Sequence, residues 1–353
     1  MQAASVNPPQ TAALADFSAE ISALHLSPLW ERKVKLGPGS ACVPALWPYA
    51  RMRPLLERAA GLISKKQADR RVLVMENPSL RGSSFISNSL FAGLQIILPG
   101  EVAPSHRHSP SALRFVVEGS GAYTAVDGER IPMHPGDFVV TPGWAWHDHG
   151  NLGDAPVVWM DGLDTPFASL FGAHFRENHP ADSQPLTRPH GSTLHLHGAN
   201  MLPLAYAPGQ GPDAASPLLV YPFDRVSAVL LALARDCPQA IDPAQGYKLR
   251  YANPATGGYP FATMAAFMQL LPHGYHGGRY RSTENAVFNV AQGSCRVWLA
   301  SGVQQLQAHD VLVVPGWESY SLEADEDCLL FSFSDRAAQQ ALGFWREEGP
   351  GGA

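Results

Sequence analysis

The stretch that decides the fold is residues 100–119, GEVAPSHRHSPSALRFVVEG. In it His106 and His108 are one residue apart. On a β-strand, side chains at i and i+2 leave the same face, so both imidazoles can point into one barrel and share one metal ion. A single H-x-H is weak by itself, because two solvated histidines at a strand end give the same pattern. A second copy of the stretch strengthens it. Residues 274–293, GYHGGRYRSTENAVFNVAQG, align with it without a gap and share both end glycines, Arg107/Arg281, Ala112/Ala286 and Val116/Val290. Further on, Asp137 with Pro142-Gly143-Trp144 matches Asp310 with Pro315-Gly316-Trp317. Two matched blocks in one order, at nearly one separation, point to an internal duplication.

Each block lies in a zone of short apolar, β-branched runs. In the first zone these are Val72–Met75, Leu94–Leu98, Phe115–Val117, Phe138–Val140 and Val157–Met160, separated by Pro-Gly, Asp-Gly and Gly-Asp pairs. Such a rhythm predicts a small antiparallel barrel or jelly roll. The fold class is therefore all-β dominated: two jelly-roll barrels, an N-terminal helical segment and an irregular linker. The expected divisions are a partly helical segment 1–69, a first barrel 70–165, a linker 166–245, a second barrel 246–336 and a tail 337–353. Helices are expected over Asp16–Leu26, on the face Leu55, Leu56, Ala59, Ala60 and Leu62, and around Ser227–Arg235. The 32 glycines and 31 prolines favour turns over long helices.

Charge and cysteine usage narrow the function. Lysine and arginine number 25 against 31 acidic residues, so no basic excess marks a nucleic-acid partner. Cys42, Cys237, Cys295 and Cys328 are scattered and form no C-x-x-C pair. That fits a reducing, cytoplasmic setting better than a disulfide framework. No secretory leader and no membrane-spanning run is read in the chain.

Five of the 14 histidines fall between residues 106 and 149. His106, His108 and His147 are the expected metal ligands, since neutral imidazole suits first-row metals. Their spacing resembles the two cupin motifs. Gly100, His106, His108, Ala112 and Gly119 carry the first; Gly136, Pro142, Trp144, His147 and Asn151 carry the second. The general pattern has a Glu ligand where Ala112 stands and a glycine where Trp144 stands. Without the Glu, three neutral ligands leave up to three positions free on an octahedral metal, enough for a bidentate anionic substrate and dioxygen. In the second block the matching positions are Tyr280, Ser282 and Tyr320, poor ligands for Fe(II). One metal per chain is expected, and the second barrel is expected to be structural.

On the segments PGEVAPSHRHSPSALRFVVEGSGAYTAVDGER, PGDFVVTPGWAWHDHGN, DGLD, GYKLRYANPATGGYP and LLFSFSDR, the chain resembles the gentisate 1,2-dioxygenases over nearly its whole length. The resemblance implies a bicupin that holds Fe(II) by three histidines, is usually a homotetramer, and opens gentisate with O2 to maleylpyruvate. Carried over residue by residue, it makes His106, His108 and His147 the iron ligands. Arg114 would hold the substrate's anionic oxygens, His149 would hydrogen-bond substrate or oxygen, and Asp161 would orient Arg114 or a histidine. Arg70, Gln95, Gly93 and Trp144 fall at expected substrate contacts, with Arg71 beside Arg70 as a competing choice. Phe91 stands where these enzymes commonly have tyrosine. If Phe91 faces the pocket, a substrate without gentisate's 5-hydroxyl gains ground. The same cleavage of salicylate, a 5-substituted salicylate or 1-hydroxy-2-naphthoate is therefore one alternative. A non-catalytic bicupin binding protein and a zinc or manganese isomerase are the others.

Overall fold

The computed structural model describes residues 8–199 and 215–350. Two compact units are found, Met1–Pro38 and Gly39–Ala353. The first carries the α-helix Pro8–Ala23 and a short 3-10 turn, Leu29–Glu31. The α-helix bears on the expected Asp16–Leu26 helix. It begins earlier than Asp16 and stops before Leu24. The stop is a Schellman turn: His25 adopts φ +57°, and the Leu26 N–H reaches back to the Ile21 carbonyl at 2.9 Å.

The second unit holds both barrels. In the first, a six-stranded antiparallel sheet runs in the order Val220–Tyr221, Phe138–Thr141, Ala112–Glu118, Val157–Leu163, Phe91–Ile97, Arg71–Val74. A five-stranded sheet closes over it: Arg176–Asn178, Val102–His108, His147–Asn151, Ala122–Val126, Glu129–Pro132. The second barrel pairs a six-stranded sheet with a four-stranded one. The two six-stranded sheets pack face to face. Leu113, Phe115 and Val117 send their side chains outward into a core shared with Met268, Phe331 and Phe333, and the Phe115 and Phe331 rings stack at 4.1 Å. Strand alternation therefore aims Ala112, Arg114 and Val116 into the first barrel.

The duplication is carried through in space. Ala45–Trp47 leads through Pro48 into helix Tyr49–Leu62, and Val220–Tyr221 leads through Pro222 into helix Phe223–Asp236. Each leading strand joins the other half's barrel: Ala45–Trp47 pairs with Val311–Val313, and Val220–Tyr221 pairs with Phe138 and Val139. A helix's first amide has no partner in its own helix. Here the duplicated aspartates accept it, Tyr49 N donating to Asp310 Oδ1 at 2.6 Å and Phe223 N to Asp137 Oδ1 at 2.9 Å. The segment 1–69 thus supplies a strand to the second barrel. The linker 166–245 supplies two strands to the first, Arg176–Asn178 and Val220–Tyr221. Strands of two or three residues are too short to show alternation, which is why divisions drawn from sequence pass over them.

Candidate active site and metal centre

The strand Val102–His108 places His106 and His108 on one face, and His147 begins the neighbouring strand, directly opposite His106. The three ring centroids lie 4.2–5.5 Å apart, and one nitrogen from each ring falls within 4.8 Å of the others. All three rings are buried. Every Nδ1 is already committed to a backbone carbonyl: His106 to Pro104 at 2.9 Å, His108 to Pro110 at 2.7 Å and His147 to Ala145 at 2.9 Å. A carbonyl can only accept, so each Nδ1 carries the proton and each Nε2 keeps its lone pair. Burial holds the rings neutral. It pushes His106 down to about 2, helped by the Arg70 charge, His108 to about 4, and His147 well below the usual histidine range.

This donor set fits a metal. Neutral imidazoles with the tautomer fixed from behind are how proteins prepare histidine ligands. The His147 Nε2 is buried and has no hydrogen-bond partner among the described residues, a cost that coordination would remove. The His106 Nε2 accepts from Arg70 Nη1 at 2.9 Å, and a metal held there would take the lone pair that this bond uses.

A cavity of about 620 Å³ is lined among others by Arg70, Phe91, His108, Arg114, Asp161 and Arg176. Strand register explains the grouping. Val74, Gly93, Asp161 and Arg114 form one row across four strands, and Phe91, Leu163 and Ala112 form the row beside it. Arg114 is 2% exposed, its Nε 3.3 Å from Asp161 Oδ1, while its Nη1 donates to Thr141 Oγ1. Burial lowers the arginine to about 10, against the pull of Asp161, so it stays charged at neutral pH. Trp159 Nε1 donates to the same oxygen, Asp161 Oδ1, at 3.1 Å and helps fix that carboxylate. His149 is 1% exposed, and its Nδ1 lies 3.0 Å from Thr124 Oγ1. The Thr124 hydroxyl donates to Met133 Sδ, so it accepts from His149 Nδ1–H. The His149 Nε2 is left unprotonated and without a partner among the described residues.

Several expected contacts fall elsewhere. Gln95 is buried one row deeper, opposite Trp159 and Val72, and is absent from the cavity lining. Gly93 leaves no spare room: a Cβ there would come within 2.6 Å of Val72 Cγ1. Trp144 is turned outward and 37% exposed, with its ring over Arg107 at 4.4 Å and against Phe175. Its φ is +64°, and its duplicate Trp317 has φ +69° with Arg281 over the ring at 4.6 Å. The same arrangement in the barrel without metal ligands marks Trp144 as a turn residue rather than a substrate contact. Arg71 also points away, its guanidinium paired with Glu101 at 2.6 Å and 2.8 Å. At the ligand positions of the second barrel, Tyr280 and Tyr320 form an isolated bridge and Ser282 bonds Glu284. Sequence reasoning missed Thr141, Thr124 and Arg176. The first two are ordinary strand threonines, and Arg176 sits in a three-residue edge strand that the linker supplies.

Comparison with known proteins places this site in a family. A model described as cupin domain matches residues 93–163. Gentisate 1,2 dioxygenase 1 of Aquipseudomonas alcaligenes is 47% identical over 94% of this chain and 95% of its own. The 5-aminosalicylate 1,2-dioxygenase of a Comamonas species is 30% identical over 94% of this chain and 91% of its own. A crystal structure of salicylate 1,2-dioxygenase from Pseudoaminobacter salicylatoxidans, with gentisate, superposes with TM-score 0.89 at 32% identity, covering 99% of this chain and 97% of that one. With that identity over almost the full length, a shared bicupin fold and a buried three-histidine cluster, the chain belongs to the gentisate 1,2-dioxygenase family.

Proposed function

We propose that this chain is an Fe(II)-dependent dioxygenase that opens gentisate between its carboxyl- and hydroxyl-bearing carbons to maleylpyruvate, placing both atoms of O2 in the product. The observation that carries this reading is the join between two features. Three neutral imidazoles with unprotonated Nε2 atoms cluster where His108 lines a cavity whose wall carries a charged, buried Arg114. His106, His108 and His147 would hold the iron, which supplies the electron path between an aromatic ring and dioxygen. Arg114, braced by Asp161 and Thr141, binds the carboxylate of the aromatic acid as a preformed fork. Arg70 adds a second guanidinium on the same side. His149 presents an unprotonated Nε2 and serves as the proton acceptor or hydrogen-bond partner for the substrate's oxygen. The buried barrel wall excludes water from these charges and strengthens each contact.

Oxygen uptake by Fe(II)-loaded protein tests the reading, with gentisate, salicylate and 5-substituted salicylates compared in turn. Uptake with gentisate together with absorbance of a ring-opened keto acid is the expected result. Bound iron without uptake on any of these acids would leave a binding protein instead. The homotetramer belongs to the same proposal and is read by light scattering on the loaded enzyme.

A second substrate reading has one observation in its favour: Phe91 lines the cavity. A phenyl ring there offers a 5-hydroxyl no donor, so salicylates with other 5-substituents lose less by comparison. Phe91→Tyr is expected to raise the gentisate-to-salicylate ratio of kcat/KM by roughly 3–10-fold, the worth of one net hydrogen bond. An unchanged ratio would mean that the 5-position is read elsewhere in the cavity.

A further inference from the structure

Resting on the substrate reading above, we propose that Asp69 and Arg176 are positioning residues for substrate binding: their ion pair lies in the cavity wall and holds Arg70 against the site. Three observations join here. Arg176 comes from the short edge strand Arg176–Asn178 that the linker adds to the first barrel, and lies in register opposite the ligand His108. From there its Nη2 reaches Asp69 Oδ2 at 2.7 Å, while its Nε is fixed by Asn178 Oδ1 at 2.8 Å. Asp69 immediately precedes Arg70, and all three residues line the cavity.

The backbone at Asp69 shows why the pair matters. Its φ is +56°, and the Arg70 N–H folds back onto the Ala68 carbonyl at 2.5 Å. A non-glycine residue in this region is costly unless its surroundings hold it there. The bond to Arg176 is the side-chain contact that holds it there. This tight turn sets the direction in which Arg70 leaves the chain, just before the edge strand Arg71–Val74 begins.

Charge gives a second reason. Arg176 and Arg70 are like charges lining one cavity, and Asp69 pairs with the first and adjoins the second along the chain. Removing the Asp69 charge leaves two guanidiniums in one cavity wall with one fewer carboxylate beside them. The bridge also ties the edge strand of one sheet to the edge strand of the other, Arg71–Val74 to Arg176–Asn178.

The two side chains are 34% and 41% exposed, so the pair contributes little to global stability. Its loss should therefore appear in substrate binding and not in folding. Asn tolerates the left-handed conformation, so Asp69→Asn removes the charge without changing the turn. In Asp69→Asn and in Arg176→Gln, KM for gentisate is expected to rise about 10-fold with kcat within about twofold. Gentisate affinity measured without oxygen by equilibrium dialysis should fall in parallel. The double variant should be no worse than either single one, because the two act as one unit. Arg176→Lys, which keeps a charged donor, should recover most of the loss. Metal content and Tm should stay at the wild-type level throughout. Unchanged KM and affinity in Asp69→Asn would overturn the proposal. So would tighter binding in Asp69→Asn, which would mean that Arg176 meets the substrate itself. Wild-type protein that neither binds nor consumes any hydroxybenzoate would bring down the functional reading instead, a result distinct from active wild type with unaffected variants.

Discussion

His106→Ala is expected to lose its iron and its turnover together, while His149→Ala keeps iron and loses turnover alone. The two residues look alike in composition and burial, but their surroundings separate them. His106 sits with His108 and His147 so that one nitrogen of each falls within 4.8 Å of the others, and its Nδ1 is spent on a carbonyl. With one of three ligands gone, two imidazoles cannot hold a divalent ion at micromolar concentration, and activity should fall by roughly 10³-fold or more. His149 is held by Thr124 and keeps a free Nε2 beyond the cluster, its ring 5.8 Å from that of His147. Loss of a proton-handling or hydrogen-bonding group of that kind costs on the order of 10²-fold in kcat. Iron analysis and oxygen uptake on the same preparations decide the matter. Iron loss in His149→Ala, or iron retention in His106→Ala, would exchange or cancel the two roles.

Arg114→Leu should lose both stability and substrate binding, and a second substitution should return only the first. Arg114 and Asp161 are 2% and 9% exposed at their side chains, so deleting the arginine strands a buried carboxylate. Breaking such a pair from one side costs about 3–5 kcal/mol, whereas replacing both partners by apolar groups is close to neutral. Denaturant titration of Arg114→Leu should therefore show a large loss that Arg114→Leu/Asp161→Leu recovers. Gentisate affinity should fall about 10²-fold in both variants, because the carboxylate has lost its charge-assisted fork in each. If affinity returned with stability, Arg114 would be a structural ion and the carboxylate would be bound by Arg70 alone.

The barrels were legible because their signals are periodic and local. The runs from Val72 to Met160 are short, apolar and cut by turn pairs, and each falls on an observed strand of the first barrel or at its end. The helix faces at Leu55–Leu62 and Ser227–Arg235 fall within Tyr49–Leu62 and Phe223–Asp236. The duplication was legible through paired glycines and the Pro-Gly-Trp turns. Those turns need tight backbone approach, and a Cβ on Gly143 or Gly316 would strike a carbonyl oxygen at 2.7 Å or 2.4 Å. Trp144 shows the limit of reading by motif. Its position in the motif brought it near the ligands, yet its backbone amide is what binds there, to the His108 carbonyl at 2.8 Å, and its ring faces outward.

What the sequence by itself determined was the two-barrel architecture and the three histidines of the first barrel, because side-chain alternation along a strand is a property of the local chain. Only the tertiary structure decided how the halves exchange their leading strands, that Phe91 rather than Gln95 or Trp144 meets the cavity, and that Arg176 pairs with Asp69 in the cavity wall. These depend on register between strands far apart in the chain and on the side of the barrel that each strand end reaches. A three-residue strand 68 residues beyond His108 carries no local pattern that fixes either.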